Sequence, residues 1–574
     1  MQRALHDLTA TEFDLLVIGG GITGACLAHD ATERGLTVAL IERGDFGAAT
    51  SAASSKLLHG GIRYLQELRF GKVRESAAER AAFQVIAPHL AGWVPFLVPT
   101  YHGGLADAVL LHAGFALYRL VTAGTGSSIR DGSKRVPPIT RLSRSDLDAL
   151  APALAGSPGV TGAFSLPESH MYNSERTTLA FVRSAVRGGA RVANYVAAES
   201  FLRRGRAVCG VRARDLPSGA PVEIRARLVA NAAGPWVMRV NALAGIGHLT
   251  HDVRHFSKGV HVVTRQILPN AAVALRTRRQ TAAILTRGGR HVFVIPWRGR
   301  SLIGTTSTPF EGTLDEVAPS GRDVEDLLAD VNAAMPAARL TSRDVCYSFA
   351  GLYPLTDSVA RPEVYQGTGA YQIVDHARDV DGLVTVLGAK YTTARQVAER
   401  ATDLALRKLG LAARPCRTRV VRLVGGEIDD MPAWTRQMIA AHPDVPASSI
   451  GHLVRSYGTE LEAVVDTTLE GRSLCAPLAA DRDNLEAEVV FAARHEMAVH
   501  LEDVLFRRTG LATIGHPGHA GIRRAAVLMG SVLGWTPAER ERQIAAVEAR
   551  LAAHFALPPD APDVVANVAT GHRA

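Results

Sequence analysis

The sequence is poor in cysteine and contains no long apolar run. Its five cysteines, Cys26, Cys209, Cys346, Cys416 and Cys475, are scattered over 574 residues and never form C-x-x-C. That spacing argues against a disulfide framework or a zinc cluster and fits a reducing compartment. No stretch approaches the roughly 18 apolar residues of a bilayer-spanning helix. The first residues, MQRALHDLTATEFD, carry no apolar signal core. No basic block is interleaved with aromatics and no nucleic-acid motif is present, although the net charge is +9 and the pI about 9.5. Arginine is instead spread along the chain. This argues against nucleic acid and leaves anionic substrates or an anionic membrane surface. With 47% hydrophobic and 21% charged residues the composition is ordinary for a globular protein, and the length calls for two or three domains.

What is present is organised around Phe13 to Asp45. Leu15 to Ile18 reads as a short buried parallel strand. Gly19, Gly21 and Gly24 follow as G-x-G-x-x-G. The first permits the tight turn, the second lets backbone approach a pyrophosphate, and the third lets the next helix pack closely. A helix is predicted from about Ile22 to Glu33, its positive end toward the phosphates. Gly35 ends it, and Thr37 to Ile41 forms the second strand. Glu42 closes that strand, about 20 residues past the glycines, where a carboxylate accepts ribose hydroxyl hydrogen bonds. The turn lies near the N-terminus with a large non-Rossmann remainder after it, which favours FAD over NAD.

The stretch from Phe46 to Leu65 suits a loop lying over the diphosphate and ring of a flavin. Ser51, Ser54, Ser55 and Lys56 offer hydroxyls and a cation, Gly60 and Gly61 allow close approach, and His59, Arg63 and Tyr64 follow. With SSKLLHGGIRYL the chain resembles the FAD-dependent glycerol-3-phosphate dehydrogenase family, within the D-amino-acid-oxidase-like flavoproteins. Further matching stretches are NAAGPW from Asn231, SKGVH from Ser257, IPWRGRSLIGTTSTP from Ile295, GAKYTTARQVAE from Gly388 and LEDVLFRRTG from Leu501.

The expected fold is α/β. A Rossmann-type FAD-binding domain carries an inserted mixed or antiparallel β-sheet substrate domain, and an all-α C-terminal domain follows. The FAD-binding parts are placed at about 10–90, 176–236 and 350–410, and the cap at about 91–175 and 237–349. A linker is expected at about 411–430, a helical domain at about 431–560 and a disordered tail at about 561–574. Asn484 to Arg508 reads as an amphipathic helix. Leu90 to Pro99 and Val109 to Val121 are the most apolar pieces outside the expected strands. They suit either a core helix or a membrane-docking surface.

Oxidation of a secondary alcohol by flavin needs a base at the hydroxyl while hydride leaves the carbon. The resemblance makes His261 the first choice of base and His59 the second. It makes Arg63 and Tyr64 ligands of substrate oxygens, and it puts Lys390 and Thr393 against flavin or substrate. Lys258 is a further candidate. Ala233 and Gly234, Gly388 and Thr392 are expected to pack against the cofactor, with Thr392 starting the last helix of that domain. No metal is expected.

The departures from the family pattern bear on substrate. Tyr353 stands in AGLYPL and Val374 in IVDH where the family has arginine. Ser307 replaces an aspartate and Ala394 a tyrosine. Arginine clamps phosphate through two parallel hydrogen bonds, which tyrosine and valine cannot do. Arg63, Arg378 and Arg395 are the candidates to compensate. The expected function is oxidation of sn-glycerol 3-phosphate to dihydroxyacetone phosphate with electrons passed to quinone. The alternative is a dehydrogenase or oxidase of another polyol phosphate, or of an unphosphorylated hydroxy or amino compound. A flavin-binding protein without turnover and an NAD-linked dehydrogenase are the remaining competitors. Expected partners are the substrate, a quinone, a membrane surface and a second copy of the chain. The expected location is the cytoplasm, peripheral on the inner face of the cell membrane.

Overall fold

The computed structural model describes residues 1–3, 5–65, 67–101, 105–249, 255–276, 291–355, 371–469 and 472–555. The tail expected at 561–574 lies outside them. Two sheets organise the chain. The first has the strand order Gln372–Asp375, Leu383–Leu387, Pro221–Asn231, Glu12–Ile18, Val38–Ile41, Arg191–Ala193. All its pairings are parallel except that of the outermost strand, Gln372–Asp375, with its neighbour. Strands Val196–Arg204 and Ala207–Asp215 extend it as an antiparallel arm. Parallel strands buried on both faces need apolar residues at every position, and Leu15 to Val17 and Val38 to Ile41 supply them. Leu15, Val17 and Leu40 face helices Ile22–Glu33, Ser174–Arg187 and Ala394–Lys408, while Leu16, Ile18 and Ile41 face the antiparallel arm. The first helix runs from Ile22 to Glu33 as the sequence predicts. The last begins at Ala394, two residues later than expected, with Thr393 at its N-cap.

Among the described residues the second sheet holds ten strands, centred on Phe256–Arg265, His291–Trp297, Arg300–Gly304 and Val345–Pro354. One face is covered by helix Gly321–Ala334 and the short helix Arg144–Leu150. The other carries Phe96, Phe293, Ile295, Val263, Tyr347 and Phe349, and merges with the core of the C-terminal helices. That face looks toward the first sheet, and between the two lies the site.

Two expectations are corrected. Leu90 to Pro99 forms no helix; it belongs to strand Ala91–Tyr101, paired along its length with Val160–Met171. Pro95 and Pro99 explain this, since each would remove a hydrogen bond from a helix interior. Asn484 to Arg508 is not one amphipathic helix. It is helix Glu486–His495, a break, and a π-helical turn Asp503–Arg508. Its charges are buried: Glu488, Glu496, Asp503, Arg507 and Arg508 all lie inside. Periodicity cannot separate a charge in water from a charge in an internal ion pair. Val109 to Val121 does fall in a helix, Leu105–Thr122. Phe115 and Tyr118 face inward, but Leu120 is 72% exposed.

The buried charges join the C-terminal domain to the nucleotide-binding sheet. Asp45, three residues past Glu42, accepts from Arg507 Nε at 2.5 Å, from Arg508 Nη1 and Nη2 at 2.6 and 2.8 Å, and from Asn194 Nδ2 at 3.0 Å. Arg507 also pairs with Asp503, which accepts the Tyr195 hydroxyl at 2.5 Å. Arg176 donates to both oxygens of Glu496 at 2.7 Å. Burial alone would raise the Asp45 carboxyl, but Arg508 and Arg507 outweigh it and hold it well below the carboxylate range. Removing one member of such a cluster strands the others, at a cost of about 3–5 kcal/mol. Asp45→Asn is therefore expected to lower the unfolding temperature and to let the C-terminal helices melt as a separate transition in scanning calorimetry. An unchanged single transition would remove this cluster as the element coupling the domains.

Candidate flavin and substrate site

The glycine turn is shaped by contacts that a side chain would destroy. Gly19 has φ +111°, and a Cβ there would lie 2.6 Å from the Ala232 carbonyl oxygen. A Cβ on Gly24 would lie 1.9 Å from the Gly19 carbonyl oxygen, so the helix sits directly on the turn. Gly21 is the helix N-cap, and the next amide, Ile22 N–H, donates to Ser51 Oγ at 2.9 Å. Glu42 holds the rim, accepting Gly20 N–H at 2.6 Å and Gly44 N–H at 2.7 Å. Burial raises the Glu42 carboxyl, against the pull of those two amides. Strand Pro221–Asn231 enters beside this turn. Ala232 N–H donates to Ile18 O at 2.8 Å, the backbone of Ala232 and Ala233 lies against Gly19, and Gly234 follows with φ +54°. Gly388 closes the cradle: a Cβ there would lie 2.4 Å from Thr23 Oγ1 at the helix start.

The loop after Asp45 is fixed from beneath. Lys56, expected at the cofactor, is turned into the protein. Its ammonium donates to Glu175 at 2.9 and 3.1 Å, to Ser174 Oγ at 2.9 Å and to Ala52 O at 3.2 Å. An ammonium has three donors, so this set occupies it. Ser54 Oγ accepts Lys56 N–H at 3.2 Å, and Ser55 is partly exposed beside it. His59 N–H donates to Thr392 Oγ1 at 3.0 Å, and Gly60 N–H donates to buried Glu168 at 2.8 Å. The second sheet presses on this loop: a Cβ on Gly351 would lie 2.8 Å from the Ala53 Cβ.

His261 is buried, with neither ring nitrogen bonded to protein. It stacks on Phe349 with centroids 5.1 Å apart, and it leans over Gly304, where a Cβ would meet it at 2.2 Å. Gly304 pairs with both His261 and Phe293, and Phe293 packs against His59 at 5.9 Å. Both histidines therefore belong to one pocket wall. Burial, then Lys56, pushes His261 down to about 3, so its imidazole is neutral. Burial also lowers His59, with Glu168 opposing. Lys390 Nζ lies 3.7 Å from the Tyr64 ring centroid, with Arg63 beside them. Burial, then Arg63, lowers Lys390 to about 7. Tyr353 lies opposite Ser257, whose hydroxyl meets Ser307 at 3.0 Å, and Thr393 is buried at the helix N-cap.

Other candidates lie elsewhere. Lys258 Nζ pairs with Asp323 at 2.7 Å, on the helix covering the opposite face of its sheet. Arg395 is buried and forked onto Glu79 at 2.6 and 2.7 Å. Arg378 is exposed in the turn before Leu383–Leu387, at the far end of that strand from Gly388 and so about 17 Å away. Neither arginine compensates for Tyr353 or Val374. Sequence reasoning missed Glu168, Glu175, Phe293 and Phe349, which hold the loop and frame the histidines. No local motif marks them, because their roles depend on strand pairing.

Residues 14–404 match the FAD dependent oxidoreductase family, and residues 416–540 match the C-terminal domain of alpha-glycerophosphate oxidase. A glycerol-3-phosphate dehydrogenase of Mycobacterium leprae is 34% identical over 563 residues, covering 97% of this chain and 91% of the relative. This chain belongs to the FAD-dependent glycerol-3-phosphate dehydrogenase family. A Synechocystis glycerol-3-phosphate dehydrogenase is 32% identical, covering 94% of this chain and 97% of its own length. The structure of the glycerol-3-phosphate dehydrogenase from Bacillus halodurans complexed with FAD superposes with a TM-score of 0.74 at 26% identity, covering 96% of this chain and 97% of that one.

The chain is an FAD-dependent oxidoreductase, and its residues fit that cofactor. Gly19, Gly21 and Gly24 leave backbone where a pyrophosphate must approach, and Glu42 holds a carboxylate at ribose distance along the fold. His261 carries two orphaned ring nitrogens on the sheet face turned toward the cradle. Glu42→Ala is expected to yield folded protein with most of its flavin lost, read as the ratio of absorbance near 450 nm to that at 280 nm. Full retention would mean that Glu42 serves only the Gly20 and Gly44 amides.

Proposed function

We propose that the chain oxidises sn-glycerol 3-phosphate to dihydroxyacetone phosphate and passes the electrons to a quinone. The observation that carries this reading is the grouping of Arg63, Tyr64 and Lys390 next to the pocket wall of His59 and His261. One side supplies cations for an anionic group, and the other supplies a neutral proton acceptor. The names of the relatives at 32–34% identity support the same substrate.

Bound FAD supplies the hydride acceptor. His261 accepts the hydroxyl proton at an imidazole nitrogen, Nδ1 or Nε2, both of which lack a protein partner. His59 stands second for this role, its backbone fixed by Thr392. Arg63 and Lys390 hold the phosphate, and Tyr64 positions the Lys390 ammonium beneath it. Phe349 and Phe293 exclude water on either side of Gly304. Tyr353 and Val374 support a second reading, another polyol phosphate or an uncharged hydroxy compound, since Arg378 and Arg395 lie away from the pocket.

Quinone is lipid-soluble, and an exposed apolar surface lies beside Arg63 and Tyr64. Leu68 is 66% exposed, Phe70 41% and Leu120 72%, among Arg69, Arg74 and Arg119. Arg74 donates to Val121 O and Ala123 O, bringing the two segments together. No described helix is long and apolar enough to cross a membrane. The surface instead suits docking at the interface of anionic lipid. Leu120→Glu combined with Leu68→Glu is expected to abolish co-flotation with anionic vesicles; undiminished flotation would place the contact elsewhere.

Anaerobic mixing with glycerol 3-phosphate is expected to bleach the flavin. His261→Gln should slow that bleaching by about 10²–10⁴ while retaining the cofactor. Lys390 is protonated below about 7 and neutral above it. The apparent second-order rate should therefore fall as pH rises through that region, and Lys390→Met should remove the decline. No bleaching at millimolar substrate, with dithionite still effective, would turn the assignment to the second reading.

A further inference from the structure

A second cleft lies apart from the flavin site, between one end of the second sheet and the C-terminal helices. Its volume is about 940 Å³, within the range of small-molecule sites, and domain boundaries are where such sites commonly form. None of Gly19, Gly21, Gly24, Glu42, Arg63, Tyr64, His261 or Lys390 lines it.

Its charge is one-sided. Lys134, Arg298, Arg436 and Arg455 line it against a single carboxylate, Asp483. None of these four cations makes an ion pair among the described residues. Lys134 is buried, and its ammonium donates to Ala91 O at 2.7 Å. Arg298 donates only to the Gly510 and Thr509 carbonyls. The Arg298 and Arg455 guanidiniums lie 5.3 and 5.7 Å from the centroid of the Tyr172 ring, so both border the same cleft-lining side chain. In lacking an ion pair among the described residues, buried Lys134 differs from Lys56, paired with Glu175, Arg395 with Glu79 and Arg508 with Asp45.

Two histidines complete the walls. His89 is buried and lines the cleft with Nδ1 lacking any hydrogen-bond partner. His170 lines it with Nε2 equally without one. The floor is rigid: the Tyr172 hydroxyl meets His452 Nδ1 at 2.9 Å, and His452 Nε2 meets Glu488 at 3.1 Å. Trp297 donates from Nε1 to Tyr172 O at 2.8 Å, its buried ring supporting the floor from the core side.

We infer that this cleft is a second binding site, for a small phosphorylated metabolite, separate from the site of oxidation. A cleft lined mainly by cations concentrates anions, and the forked guanidiniums of Arg298, Arg436 and Arg455 match phosphate oxygens.

Inorganic pyrophosphate titrated calorimetrically into the flavin-loaded full chain provides the test, with the flavin spectrum followed in parallel. A binding event that leaves the flavin spectrum unchanged is expected. Arg455→Gln should weaken it about tenfold or more. Gly451→Asp should do the same, because a Cβ at Gly451 meets nothing within 4 Å and the new carboxylate enters the cleft without displacing the fold. Citrate should bind more weakly than pyrophosphate. The inference is overturned if no spectrally silent binding occurs at millimolar pyrophosphate, if both variants bind as the parent does, or if citrate binds equally well.

Discussion

The arrangement of this molecule depends on a carboxylate with no access to water. Asp45 lies just beyond the strand that ends in Glu42, and two consecutive arginines from the C-terminal domain converge on it. Buried ion clusters of this kind contribute little net stability, because desolvation offsets much of the attraction. What they impose is geometry: two forked guanidiniums meet one carboxylate in few ways. The cluster fixes the C-terminal helices against the nucleotide end of the first sheet. Arg176 with Glu496 repeats the device one layer away. With that register set, the helices can share a core with the inner face of the second sheet, where Tyr347 packs on Phe506 at 6.0 Å.

The same logic of fixing from beneath runs through the site. Lys56–Glu175 and Glu168–Gly60 hold the loop over the cradle, and Gly351 on Ala53 closes the second sheet onto it. Charges that look available in the sequence are structural. The charges left at the pocket are few and sit where burial alters them. Burial keeps His261 neutral, with neither ring nitrogen bonded to protein, and brings Lys390 down to about 7.

Much of this was legible in the chain. The strand, glycine turn, helix and acid of the first 45 residues are local, each step fixed by residue type and spacing, and the structure follows them closely. The alternation of sheet and helical regions was legible for the same reason. Leu90 to Pro99 was misread because apolar content outweighed two prolines. Asn484 to Arg508 was misread because charge was assumed to face water. Lys56 was misread because its partner, Glu175, lies 119 residues away. Non-local pairing of charges leaves no periodic trace. It can be seen only once the sheets have brought the two segments together.

Substrate recognition is where local and non-local information meet. Tyr353 and Val374 mark two places where a fixed cation is absent, and that much is visible in sequence. Whether other arginines restore the charge is a question of position. Arg395 is held by Glu79, and Arg378 stands at the far end of its strand. Arg63 and Lys390 remain at the pocket, and Lys390 changes charge near neutral pH. A site built on one permanent and one titrating cation binds a phosphate dianion less firmly than one with fixed arginines. Under the proposed reading its affinity also follows pH, while the neutral histidine and the cradle do not change. In that reading specificity and chemistry are carried by different groups, and the first can drift without disturbing the second.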